Sequence, residues 1–283
     1  MSFCLHRAQA RVSRALVLAA KSLLVNRRLL RREELPPRND ITHIMNGLIA
    51  LLGSGEYLPV MNEVDAYLLA HCGADGRKPR VVCLPTAAGE EGDASVNRWL
   101  KMGVEHFSAL GAEVQGLAVT DEKTANDVNH AEAVKEADLV YFSGGNPMYL
   151  HRTMKDSLVW QAAQKVWERG GIYAGCSAGA MILGREVPDF RMLGSRTIPV
   201  FGLVPAAFII PHFDAIPVFF KPLVTMSRKR LHEGEVLVGI DENTAIVGTA
   251  NGSWTVMGKA KAHIFSKDDS KSYSAGETFT LGK

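Results

Sequence analysis

A serine set among small residues is the first place where this chain shows chemistry. Ser177 lies in Gly175-Cys176-Ser177-Ala178-Gly179, and GxSxG spacing lets a chain turn sharply from strand into helix while holding the serine hydroxyl clear. Small neighbours are needed because the central residue adopts a strained backbone conformation. The context agrees: Ile172–Gly175 reads as a short apolar strand and Ala178–Leu183 opens an apolar helix. The free N–H groups and positive dipole end of that helix fall beside the hydroxyl, which makes the Ala178 amide a candidate oxyanion donor. A turn that merely caps a helix would use the same residues, so the strand before and the helix after carry the inference.

Serine is a poor nucleophile at neutral pH and needs a base. Among nine histidines, His212 is the best placed, because it follows the apolar run Ala207–Ile210 and Pro211 and so falls at a strand end. Serine preceding histidine in the chain is one of the known triad orders. The acid behind the imidazole has three candidates, Asp214, Asp189 and Glu186. Any carboxylate that reaches the distal ring nitrogen would serve, and spacing does not choose among them. A second oxyanion donor is expected from Ser143-Gly144-Gly145-Asn146, just past the run Leu139–Phe142. Two glycines let the backbone approach a substrate closely, and Gly145 is the candidate. Asn146 is a helix N-cap by type and also a candidate substrate contact. Glu56, in Gly53-Ser54-Gly55-Glu56-Tyr57, falls on the first loop after a strand, where it would hold a substrate amine or make a structural hydrogen bond. That loop lacks both GxGxxG spacing and a P-loop lysine, so no nucleotide is expected.

The elements that must position these residues alternate in type. Short apolar runs at Leu48–Leu52, Arg80–Leu84, Glu113–Ala118, Leu139–Phe142 and Ile172–Gly175 are separated by helical stretches near Val60–His71, Ala94–Leu110, Ala131–Glu136 and Leu158–Arg169. Continuous apolar runs indicate parallel strands covered on both faces. The expected fold is therefore α/β, a doubly wound, mostly parallel sheet. After a basic helical stretch near Val218–His232, the runs Val236–Ile240, Thr244–Thr249, Ser253–Met257 and Ala262–Phe265 predict an antiparallel C-terminal extension of that sheet.

Composition bounds the rest. With 283 residues and 47% apolar content the chain can bury one large core. Residues 1–40 hold nine Lys/Arg against three acids, and the remainder carries a net −4 within a total of +2. The globular part is thus mildly acidic, and nucleic-acid binding is not expected. Residues 1–45 read as a basic N-terminal extension and residues 46–283 as one catalytic domain. An Arg-rich amphipathic helix around Arg11–Arg32 fits a transit segment or a membrane-surface helix, and an extension without function fits equally, since Met45 directly precedes the first strand. The longest clean apolar stretch there, Ala15–Ala20, is far short of the ~20 residues of a membrane span. Four cysteines without CxxC spacing, and no HExxH, predict neither disulfides, metal nor cofactor, and a reducing, cytoplasmic setting.

Gly144-Gly145-Asn146 before a helix, then Gly175-Cys176-Ser177-Ala178-Gly179-Ala180, then Pro211-His212-Phe213 resembles the S51 serine peptidases, the group of aspartyl dipeptidase and cyanophycinase. The similarity runs from about Asn46 to Phe265. It implies a class I glutamine-amidotransferase-like α/β fold, a Ser177–His212 pair, and oxyanion donors at Gly145 and Ala178. It further implies cleavage of a peptide or amide bond in a small substrate, with a homo-oligomer as a possible state. In the dipeptidase the acid lies between nucleophile and histidine, but here Asp189 does not fall at that spacing. Related amidotransferases use His-x-Glu, of which His212-Phe213-Asp214 looks like a shortened version, so Asp214 is preferred and Asp189 is its rival. Basic residues for an acidic substrate group are not identified, although Arg185, Arg191 and Arg196 follow the elbow helix. Two alternatives remain: a glutamine amidotransferase using Cys176, which the GxSxG register disfavours, and a non-catalytic protein of the same shape.

Overall fold

The computed structural model describes residues 47–74, 76–188, 197–216, 228, 231–250 and 252–281. The basic extension, Asp189, Arg191, Arg196 and nearly all of the stretch Val218–His232 lie outside the described residues.

Five parallel strands form the centre of the molecule: β1 (Ile49–Leu52), β2 (Arg80–Leu84), β3 (Glu113–Gly116), β4 (Leu139–Phe142) and β5 (Ile172–Cys176). Between them run the helices α1 (Asn62–Ala70), α2 (Asp93–Ala109), α3 (Glu122–Ala125), α4 (Val128–Lys135), α5 (Pro147–Met154) and α6 (Leu158–Glu168), and α7 (Ala178–Met181) follows β5. Strands β1, β4 and β5 are buried throughout because both faces are covered, whereas the edge strand β3 alternates exposed and half-buried residues. Ala50, Leu52, Cys83, Tyr141 and Ala174 pack toward Val64 and Leu68 of α1 and Phe107 of α2. Ile49, Leu51, Val82, Phe142 and Tyr173 pack on the opposite face with Ala131 and Val134 of α4 and Val159, Val166 and Trp167 of α6. Burying one such Val, Leu or Ile contributes about 1.5–3 kcal/mol. Local chemistry fixes where the helices begin. The Ser157 hydroxyl accepts from the Trp160 amide at 3.1 Å to start α6, and Asn146 Oδ1 accepts from the Met148 and Tyr149 amides at 3.0 and 3.2 Å to start α5.

The C-terminal strands include the antiparallel extension of the main sheet expected from sequence, while the runs Val236–Ile240 and Ala262–Phe265 join a second sheet instead. After β6 (Glu186–Pro188), β7 (Thr197–Pro199) and β8 (Ala207–Ile210) come β9 (Val236–Ile240), β10 (Thr244–Gly248), β11 (Ser253–Gly258), β12 (Lys261–Phe265), β13 (Ser270–Ser274) and β14 (Thr278–Thr280). The main sheet has the order β14-β11-β10-β1-β5-β4-β2-β3, so β10, β11 and β14 extend it antiparallel. Strands β8, β9, β12 and β13 form a separate four-stranded sheet, while β6 and β7 pair alone. The second sheet packs through Ile209, Val238 and Ala262 into the same core as Ile182 and Leu183 behind β5. Residues 241–243 carry the chain from one sheet to the other, with Asn243 at φ 55°.

This topology gathers strand ends. Strands β1, β5 and β4 are parallel neighbours, so the segments leaving their carboxyl ends emerge side by side. They carry Glu56, Ser177 and Gly144-Gly145. The ends of β8 and β9, also parallel neighbours, carry His212 and residues 241–243.

Candidate active site

The turn after β5 has the strained geometry that its small residues predict. Ser177 sits at φ 50°, ψ −105°, a region that non-glycine residues occupy only when their surroundings enforce it. The enforcement is visible: the Ser177 amide donates to the Leu52 carbonyl of β1 at 3.0 Å, and the Tyr173 hydroxyl donates to the Gly179 carbonyl at 3.0 Å. A Cβ on Gly175 would stand 2.3 Å from the Gly179 carbonyl oxygen, so no larger residue fits there. Ser177 itself is 7% exposed.

His212 reaches this serine across the molecule. Its Nε2 lies 3.1 Å from Ser177 Oγ, and its Nδ1 lies 2.9 Å from Glu242 Oε1. The imidazole is fixed by a second strained residue, since His212 has φ 52°. The next residue is anchored as well: the Phe213 amide donates to the Ile240 carbonyl at 3.0 Å, and its ring packs on His263 at 4.8 Å. Donation from His212 holds the Glu242 carboxyl below the usual carboxylate range, against an opposing effect of its partial burial. Serine, imidazole and carboxylate thus form one hydrogen-bonded chain. Chemically, that arrangement can move a proton off the serine hydroxyl and stabilise the resulting imidazolium.

The carboxylate at the imidazole is Glu242, which corrects the preference for Asp214. Asp214 Oδ1 instead accepts from the Glu242 amide at 2.8 Å and from the Ala215 amide at 3.1 Å. It therefore holds the backbone that presents Glu242, and its own carboxylate does not serve the ring. Glu186, on β6, bonds the Thr197 hydroxyl and pairs with Arg185 at 3.4 Å. Arg185 also pairs with Glu235 and lies over Phe208. Asp189 lies outside the described residues. Sequence offered one signal for Glu242: it follows the apolar run Val236–Ile240, the same strand-end position that singled out His212.

The glycine turn after β4 packs tightly beside the elbow. Gly145 has φ 144°, and a Cβ there would stand 2.3 Å from the Ala87 carbonyl oxygen. The Asn146 amide donates to that same carbonyl at 2.8 Å. Among the described residues, the amides of Gly145 and Ala178 donate to no protein acceptor. Asn146 spends its side chain within the protein, capping α5 through Oδ1 and donating from Nδ2 to Glu90 at 2.9 Å. Glu56 is likewise engaged: Oε1 accepts from the Gly144 amide and Oε2 from the Cys176 thiol, both at 3.0 Å. The Cys176 thiol is fully buried, and burial followed by the nearby Glu56 carboxylate pushes its pKa well up. Among the described residues no group of His, Cys, Asp and Glu is arranged to hold a metal ion, and no helix is long and apolar enough to cross a membrane.

The fold and site define an α/β protein in which Ser177, at the carboxyl end of a mostly parallel sheet, meets His212 and Glu242 from the strand ends of a second sheet. Residues 49–254 match the sequence model of Peptidase family S51, and the chain belongs to that family, which makes it a peptidase-class hydrolase. It is similar to a cyanophycinase of Synechococcus elongatus, 25% identical over 250 residues, covering 83% of this chain and 74% of that protein. A peptidase E of Citrobacter koseri is 27% identical over 175 residues, covering 60% of this chain and 71% of the relative. Among solved structures, a peptidase from an acI-B1 Actinobacterium superposes with TM-score 0.75 at 36% identity, covering 84% of this chain and 98% of that one.

Proposed function

We propose that this protein is a serine-type peptidase or amidase that cleaves a peptide or amide bond in a small substrate through a Ser177 acyl-enzyme. The observation that carries the proposal is the unbroken chain from Ser177 Oγ through His212 to Glu242, at 3.1 and 2.9 Å, on a serine with positive φ. In this reading His212 Nε2 takes the hydroxyl proton as Ser177 Oγ attacks the carbonyl carbon. The oxyanion is received by the Gly145 and Ala178 amides, which have no protein acceptor among the described residues. Glu242 keeps the Nδ1 proton in place and stabilises the imidazolium. His212 then returns the proton to the leaving amine, and a water activated by the same imidazole releases the acid and regenerates Ser177.

The amidotransferase alternative would use Cys176, and the state of that thiol weighs against it. The group is fully buried and donates to Glu56, and its raised pKa keeps it protonated.

Hydrolysis profiling of a dipeptide library, with Ser177→Ala as control and a fluorophosphonate as active-site label, tests the reading. Label on Ser177 and loss of both labelling and turnover in Ser177→Ala are expected. Turnover that survives Ser177→Ala would overturn it.

A further inference from the structure

We propose that Glu56 is a positioning residue that fastens the oxyanion turn to the nucleophile elbow, an inference that rests on the serine-hydrolase reading of Ser177. Glu56 is 9% exposed and stands on the loop leaving β1, beside β5, which carries Ser177 and lies between β1 and β4 in the sheet. Its two carboxyl oxygens divide their work. One accepts from the amide of Gly144, the residue before the oxyanion candidate Gly145. The other accepts from the thiol of Cys176, the residue before the nucleophile. Its reach to the reacting groups is short: the point where a Cβ on Gly144 would stand is 2.8 Å from Glu56 Oε1 and 3.7 Å from Ser177 Oγ.

The turn needs such an anchor. Ser143 and Asn146 are held by the Leu84 and Ala87 carbonyls at 3.2 and 2.8 Å, which leaves two consecutive glycines between fixed ends. Glycine peptides rotate more freely than any others, so without a third hold the Gly145 N–H would sample many directions. The Gly144–Glu56 bond supplies that hold in a buried position, where losing the acceptor would also leave an amide unsatisfied. Because the same carboxyl grips Cys176, turn and elbow share one reference point, and the donor stays in register with Ser177. Glu56 touches neither substrate nor reacting atoms in this role.

The test separates an acceptor at fixed reach from a charge. Glu56→Gln keeps an oxygen at the same length and removes the charge, whereas Glu56→Asp keeps the charge and withdraws the oxygen by about 1.5 Å. Four quantities are measured on the full-length protein: kcat, KM, the rate of fluorophosphonate labelling at Ser177, and hydrogen exchange of the Gly144 amide by NMR. We expect Gln to stay within about threefold of wild type. Asp should lose about tenfold in kcat and labelling, and Ala should approach the roughly 100-fold or larger loss of a removed oxyanion donor, with KM changed by about twofold at most. Exchange at Gly144 should quicken in Asp and Ala in the same order. If Asp matches wild type while Gln fails, the group acts by charge and the proposal is overturned. It is overturned equally if Gly144 stays as protected in Ala as in wild type. Failure of wild type to be labelled would remove the acyl-enzyme reading instead, and Gly144 exchange would still decide whether Glu56 holds the turn.

Discussion

Replacing Glu242 with glutamine is the sharpest perturbation of the Ser177–His212–Glu242 chain, because it removes one charge and almost no volume. The Glu242 side chain is 27% exposed and that of His212 is 15% exposed, with 2.9 Å between Oε1 and Nδ1. When the imidazole is protonated in the transition state, opposite charges about 4 Å apart attract by roughly 4 kcal/mol at an effective dielectric of 20 and by about 1 kcal/mol in water. A half-buried pair falls between these limits, near ~2.5 kcal/mol, which is about seventyfold in rate. A second loss adds to this. The carboxamide can turn its NH2 group to Nδ1, which favours the tautomer protonated on Nε2, and that tautomer cannot take the serine proton. The expected result is a fall of roughly 10²–10³ in kcat, with KM altered by about twofold or less. Steady-state kinetics on the best dipeptide and the rate of fluorophosphonate labelling both read it. A Glu242→Gln enzyme within about threefold of wild type would refute the assignment of Glu242 as the orienting acid, since even the solvent-exposed limit of the charge pair predicts more.

Asp214 supplies the companion experiment. Asp214→Asn keeps the oxygen that accepts from the Glu242 amide and should remain within about threefold of wild type, whereas Asp214→Ala should lose about tenfold, the value of one lost hydrogen bond to a charged acceptor. Kinetics in which Asp214→Asn falls as far as Glu242→Gln would restore Asp214 as the orienting acid. Thiol reagents should leave the folded enzyme active at neutral pH, because Cys176 is buried and its pKa is raised, and burial pushes Cys72 and Cys83 to about 12. Inactivation accompanied by mass-mapped modification of Cys176 would contradict this. Stability should also carry a signature of Glu242. Its pKa is depressed in the folded state, so it contributes stability above the unfolded-state value of about 4.3 and loses that contribution as pH falls through the folded value. Urea midpoints of wild type and Glu242→Gln should therefore converge below about pH 4, and a gap that widened with acid would show the sign to be wrong.

The parts of the site that sequence made legible are those written in local chemistry. Gly175 and Gly179 around Ser177, an apolar strand before them and an apolar helix after, describe a backbone turn that few other residues allow. His212 was legible because an apolar run and a proline place it at a strand end. Glu242 was not singled out, although it sits in the same kind of position after Val236–Ile240. Its importance comes from the pairing of β10 with β1, a contact between Ala245 and Leu52 that no local pattern encodes. The division of the C-terminal strands was hidden for a related reason. Runs such as Val236–Ile240 and Thr244–Gly248 are both buried throughout, so hydrophobicity cannot tell which sheet each one joins. For Glu56 the sequence leaves a substrate amine and a structural hydrogen bond equally open, and its partners in the structure, Gly144 and Cys176, are brought to it only by the order of β1, β5 and β4.

The crossing at residues 241–243 gives the molecule a history as well as a shape. Ser177 and His212 are synthesised before Glu242, and β10, which pairs with β1 on one side and with the later β11 on the other, is made after every strand of the parallel centre. A chain emerging from the ribosome as far as Phe213 holds nucleophile and base but has no carboxylate to orient them and an open sheet edge beside the elbow. Pairing of such distant segments is slow to form. In the proposed mechanism the orienting acid therefore joins Ser177 and His212 only once β9 and the crossing that follows it are in place.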